Sequence, residues 1–308
     1  MTAVPPRPAA HGARRGRVLR PDVAWLGVLV AFAASPAAVA AQRFDAAQAD
    51  SAAAVERARS AQGRFERERV RRIPLDRWGF SGGGCDERVG RMCLRLEGGS
   101  DWWWPEEEAP ELTAARARLI EQLAEAARTA PGDPWILGQR VVYLGEAGRW
   151  AEAERLASRC GIRAEERWWC DALEGLALHV QGDYVVAAER FRAALASMEP
   201  DRALEWREVG DLLTSEGDDA RDRAVERGDS AAVDRFWALS DPLFLVPGND
   251  RWTEHMARRT WSRTREGARN AYSMSWGSDL DELLVRYGWE VGWERRDPGA
   301  SIGVSTSA

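Results

Sequence analysis

The chain contains no lysine, so all 43 of its positive charges are arginine, against 49 acidic side chains and a net charge of −6. Residues 1–41 alone hold five arginines and one aspartate, a contribution of +4, which leaves the rest at −10. An excess of that sign argues against nucleic acid as a partner, because phosphate backbones require a cation-rich surface. Histidine is nearly absent: beyond His11 there are only His179 and His255, and neither stands at a metal-ligand or triad spacing. There is no phosphate-cradling glycine loop, nucleophile elbow or dinucleotide fingerprint. These gaps predict a non-enzymatic chain with no catalytic residues, no cofactor and no metal. Long apolar runs are also missing, apart from Trp25–Ala34, which is too short to span a bilayer well. Arg14, Arg15, Arg17 and Arg20 precede that run, and Ala38-Val39-Ala40 or Val39-Ala40-Ala41 follows it. The pattern reads as an export signal over residues 1–41. Its paired arginines leave the twin-arginine route open beside the general one. No cysteine stands at the cleavage site, so no lipid anchor is indicated. The expected mature chain is periplasmic or secreted and has no transmembrane segment. Abundant alanine and arginine point to a GC-rich genome rather than to a function.

Only four cysteines are present, all beyond residue 41, in two close pairs: Cys85 with Cys93, and Cys160 with Cys170. In an exported chain two disulfides are the economical reading, and proximity favours the local pairings over the other connectivities. A zinc site would want ligands two to four residues apart, and a redox dithiol would want Cys-x-x-Cys.

One pattern is read twice over residues 135–200. Gly148-Arg149-Trp150-Ala151-Glu152-Ala153 recurs as Gly182-Asp183-Tyr184-Val185-Val186-Ala187, with the glycines 34 residues apart. Leu137, Val141 and Leu144 stripe one helix face of the first unit, and Ala153, Ala157 and Cys160 the other. In the second unit Gly175 and Ala187 are small where two helices would cross, Tyr184, Phe191 and Ala194 form the stripe, and Pro200 closes it. Leu119, Leu123, Ala126 and Pro131 fit a preceding second helix. Trp206, Val209, Gly210, Leu213 and Gly217 repeat the first-helix pattern once more. Over residues 112–217 this resembles the tetratricopeptide-repeat family, whose 34-residue units are helix pairs that must stack to bury their apolar faces. The resemblance implies a mainly α fold, a short α-solenoid. It also implies a concave partner-binding groove lined by Trp135 and Val142, then Trp169, Leu176 and His179, then Arg207 and Asp211. The lysine and asparagine of repeats that clamp a terminal carboxylate are missing from this set. An apolar groove should not stay open to water, so an extended partner or the chain's own N-terminal helix is expected to fill it.

Residues 43–72 alternate Ala, Arg and Glu around the narrow stripe Ala53, Val55, Ala58 and Phe65, a solvated helix ended by Pro74. Such a helix binds a partner or packs on the chain's own repeats. Trp102-Trp103-Trp104, beside Glu106-Glu107-Glu108, is either a platform for sugars or a cap on the helical stack.

Beyond Ala220 a different unit is announced by Phe236-Trp237 and Asp241-Pro242. A turn at Pro247-Gly248-Asn249-Asp250 follows, then a helix from Thr253 to about Gly267. Trp276-Gly277, Asp279 and Tyr287-Gly288 complete the pattern, with Leu283–Tyr287 and Glu290–Glu294 predicted to pair as a hairpin turning at Gly288. These pieces are similar to the GWxTD domain of bacterial exported proteins, although Trp and Gly stand in the opposite order and the Thr is missing. The resemblance implies a small mixed α/β unit and transfers no catalytic role. Asn249, Asp250, Glu254 and His255 form the best polar cluster for a general base, and a helix cap explains the same residues. The expected segments are a signal (1–41), a solvated helix (42–75), a disulfide loop region (76–111), helical repeats (112–219), a GWxTD-like region (220–296) and a disordered tail (297–308). The function expected is binding of a protein or peptide partner in the envelope. The alternatives are a hydrolase using the Asn249–His255 cluster and a carbohydrate-capture protein using exposed tryptophan such as Trp103.

Overall fold

The computed structural model describes residues 36–74, 85–94, 107–163, 166–229, 231–241, 244–271, 273–295 and 302–306. The chain divides into two compact units, residues 1–44 and residues 45–308. Most of the predicted export signal, the Trp102–Trp104 triplet, Pro242 and most of the predicted tail lie outside the described residues. The fold is mainly α. Helix α1 (Pro36–Arg72) begins several residues before the expected start and ends two residues short of Pro74. Helices α2 (Pro110–Thr129), α3 (Pro134–Glu146), α4 (Trp150–Ser158), α5 (Arg167–Val180) and α6 (Tyr184–Ser197) follow, each packed on the next.

The two halves of the repeat turn in the same way. At the end of α3, Arg149 N–H donates to Leu144 O at 2.8 Å and Gly148 N–H to Gly145 O at 2.8 Å; at the end of α5, Asp183 N–H donates to Leu178 O at 3.0 Å and Gly182 N–H to His179 O at 2.9 Å. This closure needs a left-handed residue just past the helix, which glycine adopts without steric cost. Gly148 and Gly182 supply it, at φ 70° and 84°. Within the second hairpin a Cβ on Gly175 would meet the Phe191 ring at 2.8 Å, so the glycine sets how closely α5 and α6 approach. Both disulfides are present: Cys160–Cys170 ties the end of α4 to the first turns of α5, and Cys85–Cys93 closes a small loop.

The third unit departs from expectation. Helix α7 (Pro200–Arg207) stops after eight residues, and Gly210–Leu212 form a single 3-10 turn. Glu208 explains the break, because its carboxylate accepts from the N–H groups of Val209 and Gly210 at 3.0 and 2.8 Å and ends the helical ladder there. A hairpin forms further on, from α8 (Ser215–Glu226) and α9 (Ala232–Ser240), turning at Gly228 with φ 75°.

Helix α10 (Asp250–Arg265) is followed by α11 (Ser278–Tyr287), where a strand was expected. Leu280, Leu283 and Leu284 are spaced for a helix and are buried, and Asp279 and Asp281 suit a helix N-terminus. Gly288, at φ 106°, ends α11 rather than turning a hairpin. The strand Glu290–Arg295 pairs instead with the strand Ile302–Thr306, inside the segment expected to be disordered. Residues 87–89 and 92–94 form a further small antiparallel pair between the cysteines of the first disulfide. It docks on α11 through Arg91, whose guanidinium donates to Asp279 at 2.5 and 2.7 Å.

The expected boundary at 219/220 does not separate two cores. One cluster joins Ala58, Leu123, Val141, Leu176, Phe191, Met256, Trp261 and Leu284. Polar groups reinforce it where α1 meets α3: Tyr143 donates to Glu66 at 2.6 Å, and Arg69, Arg116 and Arg265 converge on Glu146.

Candidate functional site

The faces of α3 and α5 where a groove was expected are covered by helix α10, which packs on α3, α5 and α6. Val142 and Leu176 are fully buried, and His179 nearly so. His179 is a clasp on α10: its Nε2 donates to Glu254 at 2.5 Å and its Nδ1 lies 3.0 Å from Thr253 Oγ1. Arg258 and the Trp289 indole also donate to Glu254, at 2.8 and 2.5 Å. Burial opposes ionisation of Glu254, but the His179 hydrogen bond and the Arg258 charge outweigh it and hold the carboxyl down at about 2. At the other end of α10, Gln139 donates to Thr264 O at 2.7 Å. Asp211 faces Arg259 of α10 at 3.6 Å, and Arg207 is exposed on α7. Five of the seven predicted groove residues are therefore not available as one binding surface.

The remaining two, Trp135 and Trp169, line what α10 leaves open. Beyond its last turn is a cleft of about 420 Å³, walled by Trp135, Gly138, Trp168 and Trp169 and rimmed by Arg59, Arg202, Arg263, Glu166 and Glu266. That volume falls in the range of about 300–1,000 Å³ usual for small-molecule sites. Each wall has a local cause. Asp133 caps α3 by accepting from Ile136 N–H at 2.8 Å, and Pro134 fills the first helical position, which places Trp135 at the helix mouth. The Cys160–Cys170 bridge fixes the first turns of α5, which carry Trp168 and Trp169. Trp169 donates to Pro134 O at 3.0 Å, locking its ring between the two helix starts.

The electrostatics of the cleft are cationic and aromatic together. Arg59 lies 4.3 Å from the Trp135 ring and Arg202 lies 4.8 Å from the Trp168 ring, both within cation–π reach. Arg263 pairs with Glu266. Its pKa is pulled below the ordinary arginine value by burial and then by the neighbouring Arg202 charge. Among the described residues neither Arg59 nor Arg202 is paired with a carboxylate. The Trp135 indole N–H and one carboxylate oxygen of Glu166 are both buried without hydrogen-bond partners, and Glu166, the residue before α5, makes no capping side-chain hydrogen bond.

The polar cluster weighed as a general base is spent on structure. Asn249 caps α10, accepting from Trp252 N–H at 2.8 Å and donating to Trp237 O at 2.7 Å. His255 is interior, its Nε2–H directed at Trp206 O at 3.1 Å. Glu66 and Glu146 have acidities driven apart: burial raises Glu66, whereas Arg69 and Arg265 overcome burial and lower Glu146. Neither lines the cleft. Among the described residues no group of three or more His, Cys, Asp or Glu side chains is placed to hold a metal ion, and no helix is long and apolar enough to cross a membrane. Sequence reading missed Arg59, Arg202 and Arg263, which come from three separate helices with no shared motif. Comparisons with protein-family models, curated proteins and solved structures find no match to this chain.

Proposed function

We propose that this is an exported, non-enzymatic binding protein of tetratricopeptide-like build, which engages its ligand at the tryptophan–arginine cleft rather than along an open groove. The observation that carries the reading is the cleft itself: three tryptophans and two arginines that have no carboxylate partner among the described residues converge where α10 stops covering the first-helix faces. Two disulfides support an oxidising destination. A cleft of this size takes a small ligand, or one protruding group of the protein or peptide partner expected from the repeat resemblance.

The test is a thermal-stability screen of the native chain against neutral sugars, acidic sugars, aryl acids, amines and dipeptides. Compounds that stabilise the native chain should fail to stabilise Trp135→Ala. If no class stabilises it, or if Trp135→Ala responds unchanged, the cleft is not the binding site.

A further inference from the structure

We infer that the cleft selects a small carboxylate bearing one flat apolar face, of the size of a uronic acid or an arylacetate. The inference rests on the binding reading above and adds the chemistry of the ligand.

Three observations converge on an anion. Arg202 and Arg263 both line the cleft, and burial and then the Arg202 charge hold the Arg263 pKa below its ordinary value even though Glu205 and Glu166 raise it. Only Arg263 has a carboxylate partner, Glu266, while Arg202 rests on the Trp168 face. A bound carboxylate between the two guanidiniums would relieve the repulsion and form charge-assisted, bidentate hydrogen bonds. The start of α5 lines the same side through Glu166, Trp168 and Trp169, and its partial positive charge is offset there by the Glu166 carboxylate, one oxygen of which is buried without a hydrogen-bond partner. The net sign of the rim agrees, with three arginines against two glutamates.

Two further observations fix the shape of the ligand. Trp168 and Trp169 are buried, with ring centroids 5.5 Å apart and planes tilted by 58°, so they form a corner rather than a parallel slot. They leave little ring surface open, and the apolar lining they share with Trp135 suits one flat apolar face of a ligand. Trp135, only partly buried, adds the third ring of that lining. A naked inorganic anion would leave the aromatic lining unused.

The experiment is calorimetric titration of the full chain with glucuronate and phenylacetate, each against its uncharged counterpart, glucose and phenylacetamide. The expected result is that at least one carboxylate binds about tenfold or more tighter than its neutral counterpart, the range for a charge-assisted hydrogen bond, and that added salt weakens it. Arg202→Gln should lose the same factor, with its circular dichroism spectrum and melting temperature unchanged. Glucuronate binding alone assigns a sugar acid, and phenylacetate binding alone assigns an aryl acid. Equal affinity for charged and neutral members, or binding insensitive to salt and to Arg202→Gln, overturns the inference and leaves the cleft reading standing. No binding by either carboxylate also overturns it; if Trp135→Ala is at the same time indifferent to every compound screened, the cleft reading falls with it.

Discussion

Stability should fall as the pH drops from neutral to about 5, and His255 should be the main cause. The imidazole is buried on α10, with its Nε2–H bonded to Trp206 O at 3.1 Å, its Nδ1 without a partner and its ring 5.1 Å from that of Trp237. Protonation would add a second N–H with no acceptor and a charge beside Arg259. Burial is the larger influence and Arg259 the next, and together they pull the pKa down to about 3 from an ordinary 6.5. The sign follows from linkage. Between those two values the unfolded chain binds a proton that the native chain refuses, so the stabilisation present above about 6.5 is lost as the pH falls toward 3. At about 1.4 kcal/mol per pH unit, the loss between about pH 7 and about pH 5 is about 2 kcal/mol. Glu254 and Asp279, each held down at about 2, lose their contributions only below the ordinary carboxylate range. Burial raises Glu66, which works in the opposite direction. The measurement is therefore a difference: urea unfolding of the native chain and of His255→Gln, which keeps a donor for Trp206 O, at both pH values. The native chain should lose about 2 kcal/mol more than the variant over this interval. Parallel pH dependence in the two proteins would refute the argument.

Three other perturbations read different parts of the fold. Gly175→Ala should cost about 1–3 kcal/mol by driving a Cβ into the Phe191 ring, whereas Gly161→Ala, with nothing within 4 Å, should stay within about 0.5 kcal/mol in the same thermal melts. Replacing both Cys160 and Cys170 by serine should remove about 2.5–3 kcal/mol in the chain-entropy account, read as a shift in denaturant midpoint under non-reducing conditions. Glu254→Gln should cost about 2–3 kcal/mol, because the His179, Arg258 and Trp289 donors lose a shared acceptor that is charged. Amide hydrogen exchange should quicken along α10, and unchanged protection there would show that Glu254 does not hold the helix in place.

The parts of the fold legible in the sequence are those where one local cause acts alone. The 34-residue recurrence of Gly148 and Gly182 works because a left-handed turn residue is a local demand. The cysteine pairs were readable because both bridges close short loops. Helix α10 was legible as a helix but not as the occupant of the groove, because its buried residues are mostly polar: Thr253, His255, Arg259, Thr260, Ser262, Thr264 and Arg265. Its hydroxyls are satisfied within the helix, Thr260 donating to Met256 O at 2.8 Å and Thr264 to Trp261 O at 2.6 Å. Reading by hydrophobic period assigns such a helix to the surface. The helix–strand error at Leu283–Tyr287 has another origin, since a short apolar run ending in Tyr-Gly fits either period until its packing partners are known. The cleft was half legible: Trp135 and Trp169 followed from the repeat register, whereas the arginines depend on where α1, α7 and α10 end in space.

The polarity of α10 also bears on where a ligand can enter. A groove closed by apolar side chains alone could open and reclose on a partner, exchanging one apolar surface for another. Here, withdrawing α10 would strand His179 against an empty face, unpair Glu254 from the two donors His179 and Trp289, and separate Arg259 and Arg265 from Asp281, Asp211, Glu146 and Glu290. Breaking even one such buried pair costs about 3–5 kcal/mol, against a total stability of about 5–15 kcal/mol for a typical domain. A partner would have to replace several of these pairs at once, with matching geometry, before it gained any contact of its own. The cleft beyond Thr264 demands none of this, because among the described residues Arg59 and Arg202 stand there without a carboxylate partner. The helix that removes the groove as a docking surface is also what frames the end of it as a pocket.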